Sequence, residues 1–354
     1  MKRFCPQRAG SIGIIEHYRC TNSCAHCLYA CHPGIEENVD EKALDLLVES
    51  IRRACPQALI HIGGGEPFLN PEHTIHLVSR LNECGLRLEY VETNGFWIRT
   101  ADPHRMIERV REAGCSCILL SISPFHNEFL SLDDNIRAYA MIEDVFGKSG
   151  IFPWHPAYYP FLRYVAADRP IDFEDYVTHF RKDEIRLQLT SIIYLHPAGR
   201  ASVTFSPFLD SFPAETYLHK NCWPELSSPD HAHVDHYGNY LTGFCAGLCV
   251  GRGAAFEMNK LYTEGINLED YPILEMLLRG TLGDLYNHAL SLGFSPDPVG
   301  YISSCHLCGH IRTWIFHRIE PGGKPPELAP AFFYEEMCRL FSLTKEKGRT
   351  VVRP

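Results

Sequence analysis

Residues 11–27 read SIGIIEHYRCTNSCAHC, and this stretch decides how the rest of the sequence is interpreted. Its first half, Ser11 to Tyr18, is an apolar run that predicts a buried strand. Its second half places Cys20, Cys24 and Cys27 directly after that strand, in the spacing C-x3-C-x2-C. Iron–sulfur clusters use thiolate ligands, and three thiolates leave one iron of a four-iron cluster open for a small molecule. A zinc site is the alternative interpretation, with Cys31 or a nearby histidine as its fourth ligand.

The sequence around this stretch alternates strand-like and helix-like patterns up to about residue 200. Such alternation predicts an α/β fold with a parallel sheet and right-handed crossovers. Ligand sites of these folds lie at the carboxyl ends of the strands. Strands are predicted at 11–18, 58–62, 87–91, 116–122, 162–166 and 186–194, and helices at 40–54, 71–83, 102–113, 135–146 and 173–181.

Polar motifs follow four successive strands of this pattern. The three cysteines follow the first strand, GGGEP (63–67) the second, ETNG (92–95) the third and SISPFH (121–126) the fourth. Glycines after a buried strand let a ligand approach the backbone closely. The motifs therefore fall where a parallel sheet would bring them together into one site.

The combination of C-x3-C-x2-C after the first strand and GGGEP after the second resembles the radical S-adenosylmethionine superfamily. The resemblance covers residues 11–201, and PAGR (197–200) closes the predicted sixth strand. It implies a partial (β/α)6 TIM-like barrel. It also implies an enzyme whose [4Fe–4S] cluster reductively cleaves S-adenosylmethionine to a 5′-deoxyadenosyl radical, which abstracts a substrate hydrogen atom. A flavodoxin- or ferredoxin-type protein would supply the electron.

The same resemblance implies roles for residues beyond the three cysteines. Gly64, Gly65 and Glu66 are expected to contact the amino group of the cofactor. Asn94 and Ser123 are expected at its ribose and carboxylate, and His26 near its adenine. On the substrate side the candidates are His126 after the fourth strand and Tyr194 at the end of the sixth, and ordinary structural roles remain open for both.

A second group of cysteines lies in the C-terminal part of the chain. Cys222, a hairpin-like segment with Gly238, Cys245 and a later Cys305-x-x-Cys308 together resemble the auxiliary-cluster ("twitch", or fuller SPASM) region of some radical enzymes. The preferred ligands of a second [4Fe–4S] cluster are Cys222, Cys245, Cys305 and Cys308, and Cys249 is a competitor for Cys222. Zinc binding and no metal at all stay open. We place a boundary near residue 205, giving a core domain at 1–205 and a smaller cysteine-rich α+β domain at 206–354.

Composition limits the partners of the protein. Lys and Arg number 33 against 43 Asp and Glu, a net charge of −10 that argues against nucleic acid and anionic membranes. No apolar stretch of about twenty residues is present, so we expect a cytoplasmic protein. The predicted function is oxidation or modification of a peptide or small molecule. A redox-neutral epimerase or isomerase, and a zinc-stabilised binding protein, are the alternatives.

Overall fold

The computed structural model describes residues 2–192, 195–228 and 230–347. Its strands form a seven-stranded sheet of order β6-β5-β4-β3-β2-β7-β8 and a separate antiparallel pair of β1 with β9. Six strands of the large sheet are parallel, and only β8 at one edge is antiparallel. The strands are β1 (Arg3–Phe4), β2 (Ser11–His17), β3 (Leu59–Gly64), β4 (Arg87–Thr93), β5 (Ile118–Ser121), β6 (Ile151–Trp154), β7 (His231–Asp235), β8 (Tyr240–Thr242) and β9 (Ile266–Asn267).

The helices fall into a first series that alternates with the strands and a second series that builds the C-terminal part. The first comprises α1 (Glu41–Ala54), α2 (Pro71–Glu83), α3 (Pro103–Glu112), α4 (Pro124–Asn127), α5 (Leu132–Phe146), α6 (Tyr159–Val165), α7 (Phe173–Thr178), α8 (Lys182–Leu187) and α9 (Arg200–Thr204). The second comprises α10 (Trp223–Ser227), α11 (Met258–Thr263), α12 (Pro272–Arg279), α13 (Leu282–Ser291), α14 (Ser304–Arg318) and α15 (Ala331–Lys347). None of the described helices is long and apolar enough to span a membrane.

One face of the sheet is covered by helices. Asp40 caps α1 by accepting a hydrogen bond from the Lys42 backbone N–H (3.0 Å). The apolar face of α1 joins one buried cluster with Ile12 and Ile14 of β2 and Ile60 of β3. Because side chains alternate along a strand, the intervening residues of β2 and β3 point to the opposite face. That opposite face carries polar side chains.

The first four strand predictions are confirmed, and the last two are wrong. Residues 162–166 lie mostly in α6, which has Pro160 in its first turn, where a missing N–H costs nothing. Residues 186–192 lie in α8 and a π-helical turn, and Glu184 starts α8 by accepting from the Arg181 backbone N–H (2.7 Å). The fifth parallel strand is β6, and it tolerates Pro153 because it lies at the sheet edge.

The sixth parallel strand, β7, comes from the C-terminal part of the chain. It pairs with β2, so Ser11 lies opposite His231 across 220 residues of sequence. The predicted hairpin is confirmed, with β7 and β8 joined by a turn in which Gly238 has a positive φ of 77°. The large sheet thus contains strands from both sides of the predicted domain boundary near residue 205. The division into two domains at that boundary stays a prediction.

Candidate cluster and cofactor site

The loop with the three cysteines continues directly from β2. The Cys27 backbone N–H donates to the Cys24 carbonyl oxygen (3.0 Å), which gives the loop a tight turn. Cys31 lies beside Cys27, because its backbone N–H donates to Cys27 Sγ (3.3 Å). Its own thiol donates to the Gly64 carbonyl oxygen (3.5 Å), so this fourth cysteine links the loop to the glycine motif.

Arg200, the first residue of α9, binds the backbone of the cysteine loop. Its side chain is fully buried. The guanidinium donates to the carbonyl oxygens of Cys24 (3.2 Å), Ala30 (2.9 Å) and Cys31 (2.9 Å). Its Nε also lies 3.3 Å from a carboxylate oxygen of Glu336 on α15. One cation therefore fixes both ends of the loop and ties it to the last helix.

The three thiols differ in acidity. Burial raises the pKa of Cys20 to about 12 and that of Cys24 well above its usual range. A hydrogen bond from the Cys31 thiol lowers the pKa of Cys27 to about 6, although burial opposes this shift. Arg200 also lowers the pKa of both Cys24 and Cys27. A buried cation beside thiolates favours the deprotonated form that binds metal.

The glycine motif GGGEP (63–67) packs against Arg19, the residue that precedes Cys20. The Gly65 backbone N–H donates to the His17 carbonyl oxygen (2.7 Å), and the Glu66 N–H donates to that of Arg19 (3.0 Å). A Cβ on Gly65 would lie 1.9 Å from the Arg19 carbonyl oxygen, which excludes any other residue without a backbone shift. The motif and the cysteine loop therefore form one connected edge of the site.

Glu66 connects this edge to the end of β4. Its carboxylate accepts from Thr93 Oγ1 (2.7 Å) and from the Asn94 backbone N–H (2.7 Å). Burial raises the pKa of Glu66 to about 7. The Asn94 side-chain amide in turn donates to Thr21 Oγ1 (2.9 Å) and lies 3.6 Å from Cys20 Sγ. Glu66 and Asn94, two of the residues predicted to contact the cofactor, thus lie beside the cysteine loop.

The other predicted site residues, Ser123, His126 and His26, lie together near the end of β5. Ser123 Oγ lies 2.8 Å from His126 Nδ1, and the rings of His26 and His126 are 4.9 Å apart. The ligand atoms of Cys24, His26 and His126 lie within 4.8 Å of one another. Burial lowers the pKa of His126 to about 3, so this imidazole is neutral at pH 7. Tyr194 lies outside the described residues.

Glu92 is a site residue that the sequence interpretation missed. It lies on β4, and a Cβ on the neighbouring Gly63 would approach its carboxylate to 2.9 Å. Burial, followed by the nearby Cys27, raises the pKa of Glu92 to about 7, and a hydrogen bond with Ser121 opposes the shift. Glu92 opens the ETNG motif (92–95), and a polar residue at the carboxyl end of a parallel strand is the sequence signal that identifies such a position.

The four preferred cysteines of the C-terminal group lie close together. Cys222 directly precedes α10, Cys245 follows β8, and Cys305 and Cys308 lie in the first turns of α14. The thiols of Cys245, Cys305 and Cys308 raise the pKa of Cys222, after the larger effect of burial. Buried Arg312 donates from Nε to Cys308 Sγ (3.3 Å) and from Nη1 to the Ala246 carbonyl oxygen (2.9 Å).

Cys249 is separate from this group. Its thiol is fully buried and donates to the Pro326 carbonyl oxygen (3.6 Å). The charged groups that shift its pKa, after burial, are Asp235, Glu327 and Arg252 rather than the other cysteines. Cys249 stays a predicted competitor for Cys222, and we prefer Cys222 because the other three cysteines of the group shift its pKa.

The described cysteine sulfurs are not spaced as in a closed zinc site. Four thiolates around zinc lie about 3.8 Å from one another, given a Zn–S distance of about 2.3 Å. Among the described residues, only two groups of three or more potential ligands have all their atoms within 4.8 Å, and neither contains two cysteines. Neither cysteine group therefore has the mutual sulfur spacing of a four-thiolate zinc site.

Cys20, Cys24 and Cys27 thus lie in one loop at the carboxyl end of the parallel strand β2, next to the glycine motif that follows β3. Residues 14–146 match the family model described as Radical SAM superfamily. This match identifies residues 14–146 as a radical SAM domain, and the cofactors that such a domain indicates are a [4Fe–4S] cluster and S-adenosylmethionine.

Three solved structures with a similar arrangement are distant from this chain. BtrN in complex with AdoMet and 2-DOIA is 14% identical (TM-score 0.40), over 78% of this chain and 90% of that one. Native anSMEcpe with bound AdoMet is 13% identical (TM-score 0.40), over 95% and 99%. Streptococcus suis SuiB bound to S-adenosylmethionine is 13% identical (TM-score 0.36), over 84% and 77%. Similarities this weak carry no argument about function, and no curated protein sequence matches the chain.

Proposed function

We propose that the protein is a two-cluster radical SAM enzyme that oxidises or modifies a peptide or small molecule. The observation that carries this proposal is that Cys222, Cys245, Cys305 and Cys308 interact electrostatically with one another, while Arg312 donates a hydrogen bond to Cys308 Sγ (3.3 Å). Four protein ligands would close a second [4Fe–4S] cluster, which suits electron transfer rather than substrate binding. Held by these four cysteines, a cluster would supply an acceptor for the electron that a substrate loses on oxidation.

At the first site, we assign Cys20, Cys24 and Cys27 as the cluster ligands. When bound, the reduced cluster and S-adenosylmethionine supply the 5′-deoxyadenosyl radical that removes a hydrogen atom from the substrate. The protein itself orients these groups: Arg200 fixes the cysteine loop, and Glu66 after β3 and Asn94 after β4 brace it. We also assign Gly64, Gly65 and Glu66 to contact with the amino group of the cofactor, and a flavodoxin- or ferredoxin-type protein donates the electron.

Substitution of one cluster ligand tests the first assignment. Cys24→Ala should abolish reductant-dependent formation of 5′-deoxyadenosine, measured by chromatography of anaerobic reactions. Cys84→Ala, at the half-buried end of α2, is the matched control and should retain cleavage. Cleavage by the Cys24 variant at the wild-type rate would refute the assignment.

Metal analysis tests the second cluster. Anaerobically purified protein should contain about eight iron and eight sulfide per chain, two clusters of four irons each. Cys305→Ala should reduce this to about four while leaving some cofactor cleavage. Zinc without sulfide would instead support the binding-protein alternative. A product of unchanged oxidation state would support an epimerase or isomerase.

A further inference from the structure

Three histidines meet on the face of the sheet opposite the helices, and the proposed function uses none of them. His61 lies on β3, and His231 and His233 lie on β7. One ring nitrogen of each lies within 4.8 Å of those of the other two. Gly13 of β2 is paired with His61 on one side and His233 on the other, so the strand register brings the group together.

Gly13 leaves the space that the rings occupy. A Cβ at this position would lie 2.5 Å from His61 Nε2 and 2.4 Å from His233 Cδ2. The backbone of Gly13 has no positive φ, so the requirement for glycine is one of space rather than conformation. The central strand thus provides a gap into which the imidazoles of its two neighbours converge.

The spacing of the nitrogens matches a metal site. His231 Nε2 and His233 Nε2 are 3.3 Å apart. In a tetrahedral zinc site, Zn–N distances of about 2.0–2.1 Å place two nitrogens about 3.3–3.4 Å from each other. Ser11 Oγ lies 3.0 Å from His231 Nδ1. If Nδ1–H donates a hydrogen bond to Ser11, the lone pair of Nε2 is free to bind a metal ion. Histidines that bind metal ions usually make such a hydrogen bond with their other ring nitrogen.

The surroundings keep the imidazoles neutral and in place. Burial lowers the pKa of His61 to about 3 and also lowers the pKa values of His231 and His233. The His61 ring is stacked between those of Tyr90 and His231, each at 5.0 Å. His61 Nδ1 is buried and has no hydrogen-bond partner. An unpartnered buried nitrogen is destabilising unless a ligand satisfies it.

We propose that His61, His231 and His233 bind one divalent transition-metal ion of the kind that prefers imidazole ligands, with zinc as its representative. Three protein ligands leave at least one coordination position for water or for an oxygen or nitrogen atom of a substrate. The ion would thus add a Lewis acid to a protein whose cysteines hold the redox centres.

The test is zinc binding by the cluster-loaded protein under anaerobic conditions. One equivalent of zinc chloride should bind, and zinc K-edge absorption should show nitrogen or oxygen neighbours at about 2.0–2.1 Å. His231→Ala should weaken the binding at least tenfold, with iron content unchanged as the check on folding. His288→Ala, an exposed histidine on α13, is the matched control and should bind as the wild type does.

A milder variant guards against a loss of folding. Ser11→Ala removes only the outer hydrogen bond, for which a loss of about 10- to 100-fold in metal affinity is usual. The proposal is overturned if the wild-type protein binds no zinc. It is equally overturned if the histidine variant binds zinc unchanged, or if sulfur neighbours at about 2.3 Å account for the bound ion.

Discussion

Arg200 and Arg312 give the two cysteine groups the same kind of support. Each is a buried arginine on a helix, and each donates to carbonyl oxygens of a segment that carries cysteines. Thiolate-bound clusters carry net negative charge, which is costly to bury without a cation nearby. The rigid fork of a guanidinium also fixes the acceptor geometry in a way that lysine cannot. Both centres therefore depend on a residue that is not itself a ligand.

Replacement of Arg200 tests this dependence. Arg200→Met should lower the free energy of unfolding by about 3 kcal/mol, because it leaves three buried carbonyl groups without their donor and removes the buried one of the two cations beside Glu336. Iron per chain should fall by the four atoms of the first cluster. Urea unfolding and iron analysis measure the two effects. Arg339→Met, which removes an exposed partner of Glu336, is the control and should keep its iron.

His236 makes the stability of the protein depend on pH. Burial lowers its pKa from 6.5 to about 4. Below pH 6.5 the unfolded chain binds a proton that the folded chain does not, so stability falls as the pH is lowered toward 4. Between pH 7.5 and 5.5 this one group contributes a loss of about 1.4 kcal/mol.

Substitution of His236 therefore has a defined sign. His236→Gln should reduce the loss of stability between pH 7.5 and 5.5 by about 1.4 kcal/mol, measured as urea unfolding midpoints of the cluster-loaded protein. His288→Gln, at an exposed position, should leave the pH dependence as it is. An identical pH dependence in the His236 variant and the wild type would refute the role of burial.

At the scale of elements, β2 is the strand on which the site is built. It pairs with β3 and β7, and the cysteine loop follows from it. The glycine motif after β3 hydrogen-bonds back to the end of β2 at His17 and Arg19. Displacement of this contact would move the cysteine loop relative to the rest of the site.

Gly65→Ala tests the contact between the two segments. Its Cβ cannot be accommodated 1.9 Å from the Arg19 carbonyl oxygen, so the backbone must move. We expect a loss of about 1–3 kcal/mol in stability, as for other overpacked sites, and reduced binding of S-adenosylmethionine. Thermal unfolding measures the loss of stability, and equilibrium dialysis measures the binding of S-adenosylmethionine. Gly10→Ala, whose Cβ would be 3.8 Å from its nearest neighbour, should behave as the wild type does.

Sequence patterns predicted the part of the fold that local signals determine. The first four strands end in motifs of cysteine, glycine or polar residues, and both cysteine groups show metal-ligand spacing. β6 was missed because Pro153 and neighbouring aromatic residues resemble a loop. β7 was missed as a member of the parallel sheet because its partner, β2, is 220 residues away. Arg200 and the three histidines have no spacing signal, since only the folded chain brings them to their partners.

At the scale of the whole molecule, the C-terminal part completes the sheet of the N-terminal part. Without β7, β2 would be an edge strand of apolar residues, which favours aggregation. Tyr18, at the end of β2, also donates a hydrogen bond to Asp235 at the end of β7 (2.7 Å). We therefore expect the two parts to depend on each other for folding.

Truncation tests this dependence. A chain that ends at residue 205 should be largely insoluble and should bind no iron when refolded anaerobically, because β2 lacks its partner. The full-length chain treated in the same way is the control. Soluble yield and iron per chain are the measurements. A soluble fragment with about four irons would show that the first part folds independently.

The salt bridge of Arg200 with Glu336 has a consequence for the order of events in the cell. The cysteine loop gains this anchor from a residue 136 positions after Arg200 in the sequence. The ribosome must synthesise α15 before this salt bridge can form. Delivery of iron and sulfide to the loop should therefore follow synthesis of α15, and scaffold proteins that assemble clusters would act on a chain that already contains this helix.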